Sequence, residues 1–263
     1  MKVGALKAFK ELAVEAAQRA GKLLRENFGL AHDYAHKSSH VDLVTDCDHR
    51  SQSLIVSMIQ GEYPHHQILS EEQLTRPQST DSEYNWIIDP LDGTMNFVHG
   101  YPLFCVSIAL EKAGEVVLGV AYSPIMNELF LAQKGEGAFL NGNRIQVSRT
   151  QKLSESLLAT GFPNLAGIQE NVKHFLNFIN KAQGIRRDGS AVLDLCYLAC
   201  GRFDGFWELY LKPWDVAAGS LIIQEAGGAI TDFRGNTFSI YSDETLASNG
   251  LIHREMVEVL KTR

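Results

Sequence analysis

Trp86-Ile-Ile-Asp89-Pro90-Leu91-Asp92-Gly93-Thr94-Met95-Asn96-Phe97 is the stretch on which the reading of the chain turns. An apolar strand runs into an acid. Pro90 biases Asp89 away from the helical region, so Asp89 should stay extended at the strand end, with the strand interrupted at Pro90. Asp92 follows three residues on, where a helix can begin. Asp-Gly-Thr at a helix start offers a side-chain cap and free backbone N–H groups, and those of Gly93 and Thr94 suit a phosphate. The carboxylates of Asp89 and Asp92 suit a hard divalent cation such as Mg²⁺. Taken alone, the segment reads equally well as a strand, a turn and a capped helix.

Other acids occupy comparable positions. Glu71-Glu72 follows the apolar run His66-Gln-Ile-Leu-Ser70, so at least one of the two should lie near the sheet edge that carries Asp89. Asp215, in Lys212-Pro-Trp-Asp215-Val-Ala-Ala-Gly219, opens a helix of small residues, where it could equally be an N-terminal cap. Asp48 falls in the first turn of a predicted helix, a favourable place for an acid on dipole grounds alone. Each acid has a plain structural explanation; their joint pattern is harder to explain that way.

Around these acids the periodicity predicts a first half rich in antiparallel strands, with helices, and a second half that alternates strand and helix. In the first half, Leu6, Phe9, Ala13, Ala16, Ala20, Leu23 and Phe28 mark a helix over 4–28 that stops at Gly29. A short strand at 41–44 leads into a helix capped by Thr45 or Asp46. Strands follow at 66–70, 86–89, 103–111, 116–122 and 128–132, with a polar loop over 73–85. In the second half, strands near 156–160, 185–187, 204–208, 229–233 and 246–248 alternate with helices near 168–182, 190–200 and 215–226 and from 251. The expected organisation is one compact unit in two parts, 1–148 with most of the candidate ligands and 149–263 with Asp215.

The chain carries 24 Lys and Arg against 31 Asp and Glu, a formal charge of −7, which argues against binding nucleic acid by general phosphate attraction. Hydrophobic residues make up 45%, enough for a core, so the chain is not disordered as a whole. Cys47, Cys105, Cys196 and Cys200 are too sparse for a disulfide scaffold and read as reduced thiols of a cytosolic protein. Lys7, Lys10 and Glu11 break any secretory apolar region, and no apolar run approaches the roughly 20 residues of a membrane helix.

Glu71-Glu72, the Trp86–Thr94 segment and Trp214-Asp215-Val-Ala-Ala-Gly219 together resemble the inositol monophosphatase family of Mg²⁺-dependent, lithium-sensitive phosphatases. Lys37, Val41-Asp42-Leu-Val-Thr45 and Asp48 fit the N-terminal pattern of that family. Arg186-Arg187-Asp188-Gly189-Ser190-Ala191 and Phe206-Trp207-Glu208 look closest to its bacterial suppressor-type members. The resemblance implies an α/β fold of the sugar-phosphatase type, a layered αβαβα sandwich, and two to three Mg²⁺ ions. By carry-over, Glu71, Asp89 and the Leu91 carbonyl would hold one ion; Asp89, Asp92 and Asp215 a second; and Glu71 a weaker third, with Glu72 a nearby supporting acid. Asp48 and Thr94 would orient and deprotonate the attacking water. Gly93 and Thr94 would hold phosphate oxygens, and Gly189, Ser190, Ala191 and Glu208 would meet the alcohol. Asp92 and Asp215 would face both metal and substrate.

The implied activity is hydrolysis of a small phosphorylated polyol, with inositol monophosphate first. Fructose 1,6-bisphosphate, histidinol phosphate and NADP are the alternative substrates. A homodimer and a second role in binding transcription machinery or RNA are implied by the same resemblance. Two departures bear on the substrate: Met95 stands where many relatives have Thr, and Tyr210 stands where glycine is expected. His32, His36, His40, His65 and His66 lack zinc spacing and read as surface or loop residues.

Overall fold

The computed structural model describes residues 3–30, 34–36, 43–72, 82–162 and 165–261. The chain opens with helix α1 (Val3–Asn27), strands β1 (Tyr34–His36) and β2 (Leu43–Thr45), helix α2 (Asp46–Glu62) and strands β3 (Gln67–Ser70) and β4 (Tyr84–Asp92). A one-and-a-half-turn helix, α3 (Thr94–Val98), leads into β5 (Cys105–Lys112), β6 (Glu115–Ser123), β7 (Glu128–Gln133), β8 (Gly137–Leu140) and β9 (Asn143–Arg144). Then come β10 (Leu157–Thr160), α4 (Leu165–Ile179), β11 (Gly184–Arg186), α5 (Ala191–Ala199), β12 (Gly205–Leu209) and α6 (Pro213–Glu225). Strands β13 (Ala229–Thr231) and β14 (Glu244–Ser248) and helix α7 (His253–Leu260) complete it. Lys37, Val41, Asp42, His32 and His40, and residues 73–81 of the anticipated loop, lie outside the described residues.

Strands β3 to β9 form one seven-stranded sheet in sequence order, antiparallel except for the parallel pair β3–β4. The second sheet is five-stranded and mixed, in the order β11-β10-β12-β14-β13. Helices α1 and α2 cover the outer face of the first sheet, α4 and α7 pack on the second, and α5 and α6 lie between the sheets. The result is the αβαβα sandwich. The apolar positions explain the order of layers. Helix α1 presents Phe9, Ala13, Ala16, Ala20 and Leu24 to one side only, whereas α5 is buried throughout from Val192 to Ala199, as a helix between two sheets must be.

The central layer packs closely because its facing residues are small. A Cβ on Gly219 of α6 would lie 2.7 Å from the Leu195 side chain of α5. A Cβ on Gly119 of β6 would lie 2.8 Å from the carbonyl oxygen of Ala218. One core therefore runs from Ile87 and Ala121 of the first sheet through Leu195 and Ala218 to Phe206 and Ala247 of the second.

Three readings need correction. Strand β4 is not interrupted at Pro90 but runs on to Asp92 through a bulge, because the extra residue absorbs the missing N–H of proline. Tyr84 and Asn85, assigned to the loop, are its first residues. His66 is not a loose surface group: its ring stacks between Tyr63 and Tyr84, each 4.8 Å away, and its Nδ1 accepts from Trp86 Nε1 at 3.1 Å. The four cysteines are free thiols, and no helix among the described residues is long and apolar enough to cross a membrane.

Gly119→Ala tests the close approach of β6 and α6. The added methyl meets backbone, which cannot rotate away, so the variant should lose about 1–3 kcal/mol of stability, seen as a lower urea midpoint with an unchanged slope.

Candidate active site

The bulge in β4 is what brings two of the acids together. Side chains alternate across a strand, so residues three apart belong on opposite faces. Between Asp89, opposite Ser107, and Asp92, opposite Cys105, β4 takes three steps while β5 takes two. The extra residue restores the parity, and both carboxylates turn to the same cavity. Asp89 Oδ1 accepts from the Leu91 N–H at 2.9 Å across the bulge.

Asp215 arrives from α6. Pro213 opens the helix at a position where a missing N–H costs nothing. Asp215 sits two residues on, where its Oδ2 accepts the Lys212 N–H at 2.7 Å. One carboxylate oxygen from each of Asp89, Asp92 and Asp215 lies within 4.8 Å of the others. The donors are hard oxygens, which suit Mg²⁺ rather than a soft metal. Glu71 lines the same cavity, of about 390 Å³, as do Leu91, Gly93, Thr94, Gly189, Ser190, Ala191 and Glu208. Glu72 is not among its lining residues.

Asp48 stands behind the cavity wall. As the third residue of α2 it accepts, at Oδ2, the N–H of Thr45 at 2.8 Å and its hydroxyl at 2.6 Å. Its other oxygen, Oδ1, is 2.9 Å from Thr94 Oγ1, which is also 3.0 Å from the Leu91 carbonyl. Gly93, with φ +93°, turns the chain into α3; a Cβ there would lie 3.0 Å from the Leu103 carbonyl oxygen and 3.3 Å from that of Gly189.

The second part supplies the opposite wall. Ser190 caps α5, and its hydroxyl donates to Asp92 Oδ2, which also accepts the Val192 N–H at 3.0 Å. Glu208 of β12 is buried against Gly161, where no side chain would fit beside its carboxylate. Tyr210 holds the left-handed φ of +61°, a conformation that explains the expectation of glycine there. It lines the cavity, and its hydroxyl donates to Glu170 at 2.9 Å.

The sequence reading missed Asp194. It is 1% exposed, lines the cavity, and its Oδ1 has no hydrogen-bond partner among the described residues. A single acid within the apolar run Ala191–Ala199 was the available signal. Arg187 also lines the cavity.

Burial dominates the electrostatics. It pushes Asp89 and Asp215 well above the ordinary carboxylate range, and repulsion from Glu71 and Asp92 adds to it. Glu208 is raised by burial and by Asp215. Asp92 reaches about 6, raised by burial and restrained by the Ser190 hydroxyl and the Val192 N–H. Asp194 is raised by burial and by Asp188 and Glu208.

Layering and acid set together define the class, a metal-dependent phosphatase. The chain belongs to the inositol monophosphatase family, whose model matches residues 5–262. It is 40% identical over 255 residues to a putative Nus factor SuhB of Neisseria meningitidis serogroup B, covering 96% of this chain and 97% of that one. It is 39% identical over 257 residues to an inositol-1-monophosphatase of Mesorhizobium japonicum, covering 97% and 96%. The crystal structure of extragenic suppressor protein suhB from Bartonella henselae superposes with a TM-score of 0.92 at 40% identity, covering 97% of this chain and 99% of that one.

The raised carboxylates fix the sign of a pH effect. Between an unfolded value of about 4 and their folded values, these groups hold protons in the native state that the unfolded chain has released, so stability falls as pH rises. In chelator, the melting temperature should drop from pH 5 to pH 8, passing through the Asp92 value of about 6. Mg²⁺ should restore it most at the upper end, and Asp92→Asn should flatten the drop; differential scanning fluorimetry reads all three.

Proposed function

We propose that this protein hydrolyses inositol monophosphate to inositol and phosphate with Mg²⁺ as cofactor. The reading is carried by the approach of Asp89, Asp92 and Asp215 within 4.8 Å in the cavity that also holds Glu71 and Glu208. Glu71, Asp89 and the Leu91 carbonyl would hold one ion, Asp89, Asp92 and Asp215 a second, and Glu71 a weaker third. Bound ions neutralise the phosphate and the departing alkoxide and lower the pKa of water.

The remaining steps belong to the chain's own groups. Thr94 Oγ1 takes a proton from the attacking water and passes its own to Asp48 Oδ1, 2.9 Å away. Asp48 is fixed for that task by the two Thr45 donors on its other oxygen. Backbone N–H groups of Gly93 and Thr94 hold phosphate oxygens at the start of α3. Glu208 accepts hydrogen bonds from substrate hydroxyls, and Gly189, Ser190 and Ala191 flank the same alcohol. No Ser or Cys nucleophile is required by this chemistry.

A second reading rests on the relatives named Nus factor SuhB, among them that of Escherichia coli, 40% identical over 252 residues, together with the exposed pair Arg186 and Arg187. It adds a binding role with transcription machinery or RNA. A pull-down from lysate that recovers neither would remove it. We take the chain as one two-part unit, 1–148 and 149–263, that forms a homodimer, which light scattering after size-exclusion chromatography would test.

The deciding experiment is phosphate release from inositol 1-phosphate with and without Mg²⁺, beside fructose 1,6-bisphosphate, histidinol phosphate and NADP. Inositol 1-phosphate should be preferred and Mg²⁺ required. Asp92→Asn should stay folded and lose at least about a hundredfold in kcat, since it removes charge where ion and substrate meet. A folded variant with wild-type turnover would refute the site assignment.

A further inference from the structure

Asn96 is the third residue of α3, and the phosphatase reading gives it no role. Its side chain is 8% exposed, and its two amide hydrogens go in different directions. Nδ2 donates to the Leu103 carbonyl at 2.6 Å and to the Asp188 carbonyl at 2.7 Å. Leu103 precedes β5 in the first part of the chain. Asp188 belongs to the short loop between β11 and α5 in the second part. One side chain thus ties the phosphate-facing turn at Gly93 and Thr94 to the loop that presents Gly189, Ser190 and Ala191.

The glycines on either side show how tightly this joint is set. A Cβ on Gly93 would meet the carbonyl oxygens of Leu103 and Gly189 at 3.0 and 3.3 Å. A Cβ on Gly189, whose φ is +87°, would meet Asn96 Oδ1 and Arg187 Nη1, each at 2.9 Å. Asp92 also grips the second part, through Ser190 and the Val192 N–H, but both grips lie at the start of α5. With these alone, the loop before Ser190 could pivot about that point. The bond from Asn96 to Asp188 stops the pivot. Helix α3 itself is held independently, by Thr94 at Asp48 and by the Tyr101 N–H on the Asn96 carbonyl at 2.8 Å.

We propose that Asn96 is a positioning residue that sets the distance between the phosphate-holding turn and the alcohol-holding loop, and so selects a hydroxyl-bearing alcohol. The assignment of the two sides rests on the phosphatase reading above; the clamp itself does not.

Asn96→Asp is the test, because it keeps the size and removes both donors. With inositol 1-phosphate, kcat/KM should fall roughly 10- to 100-fold, chiefly through KM, as expected for a misplacement on the order of 1 Å. With p-nitrophenyl phosphate, whose leaving group has no hydroxyls to register, the loss should stay within about threefold. The Mg²⁺ concentration giving half-maximal rate should not move. Asn96→Ser, with a single shorter donor, should fall between wild type and Asn96→Asp, and it carries the test if Asn96→Asp does not fold. Amide exchange at residues 188–190 should quicken in either variant while that of β4 does not, whatever the substrate proves to be.

Equal losses on both substrates, or unchanged exchange in the loop, would overturn the proposal. A wild-type protein inactive on inositol 1-phosphate would instead defeat the substrate reading, and the exchange measurement would still decide the clamp.

Discussion

Three carboxylates with every electrostatic reason to separate are held together, and the rest of the structure serves that arrangement. Two unit charges about 5 Å apart repel by roughly 3 kcal/mol at an effective dielectric of about 20. Each acid is restrained by donors it cannot easily leave. Asp89 accepts the Leu91 N–H, Asp92 the Val192 N–H and the Ser190 hydroxyl, and Asp215 the Lys212 N–H. Two of these restraints are helix starts, where unpaired backbone N–H groups are available to an acid. The framework stores repulsion that a cation can relieve.

This constraint accounts for the layering. Asp89 and Asp92 come from the first sheet, Asp215 from the start of α6, and Glu208 from the second sheet. They can meet only if α5 and α6 lie directly between the sheets with their N-termini at one edge. Small residues at Gly119, Ala218 and Gly219 let those helices approach closely enough. The central core and the acid cluster are therefore two ends of the same packing problem, one dry and one charged.

Most of the strands and helices were legible as apolar stripes or apolar runs bounded by turn residues. Helix α1 shows a single apolar stripe, and β5 to β7 alternate with short turns. The acid set was legible as residue types at element ends. The way in which Asp89 and Asp92 share a face was not, because a bulge leaves no mark beyond Pro90, which pointed to a strand end. Asp194 was hidden for a related reason: a helix buried on all sides has no polar face against which a lone acid stands out. His66 shows the limit of counting ligands by spacing, since a stacking partner such as Tyr84 is eighteen residues away in sequence. Tyr210 stood out only against the pattern of the family that the sequence resembles, and its left-handed backbone supplies the reason glycine is expected there.

The bulge also changes what the site is made of. Its geometry is written in the number of residues between Asp89 and Asp92 as much as in their identity. Paired without the bulge, the same residues would keep every carboxylate and all their charge, yet Asp92 would turn to the opposite face of the sheet. Losing one residue at Pro90 or Leu91 would instead leave the two aspartates two apart and on one face, but without the bulge that gives Asp89 the Leu91 N–H and Thr94 the Leu91 carbonyl. In a loop a one-residue deletion is a change of length; here it strips the acids of their restraint while leaving them side by side.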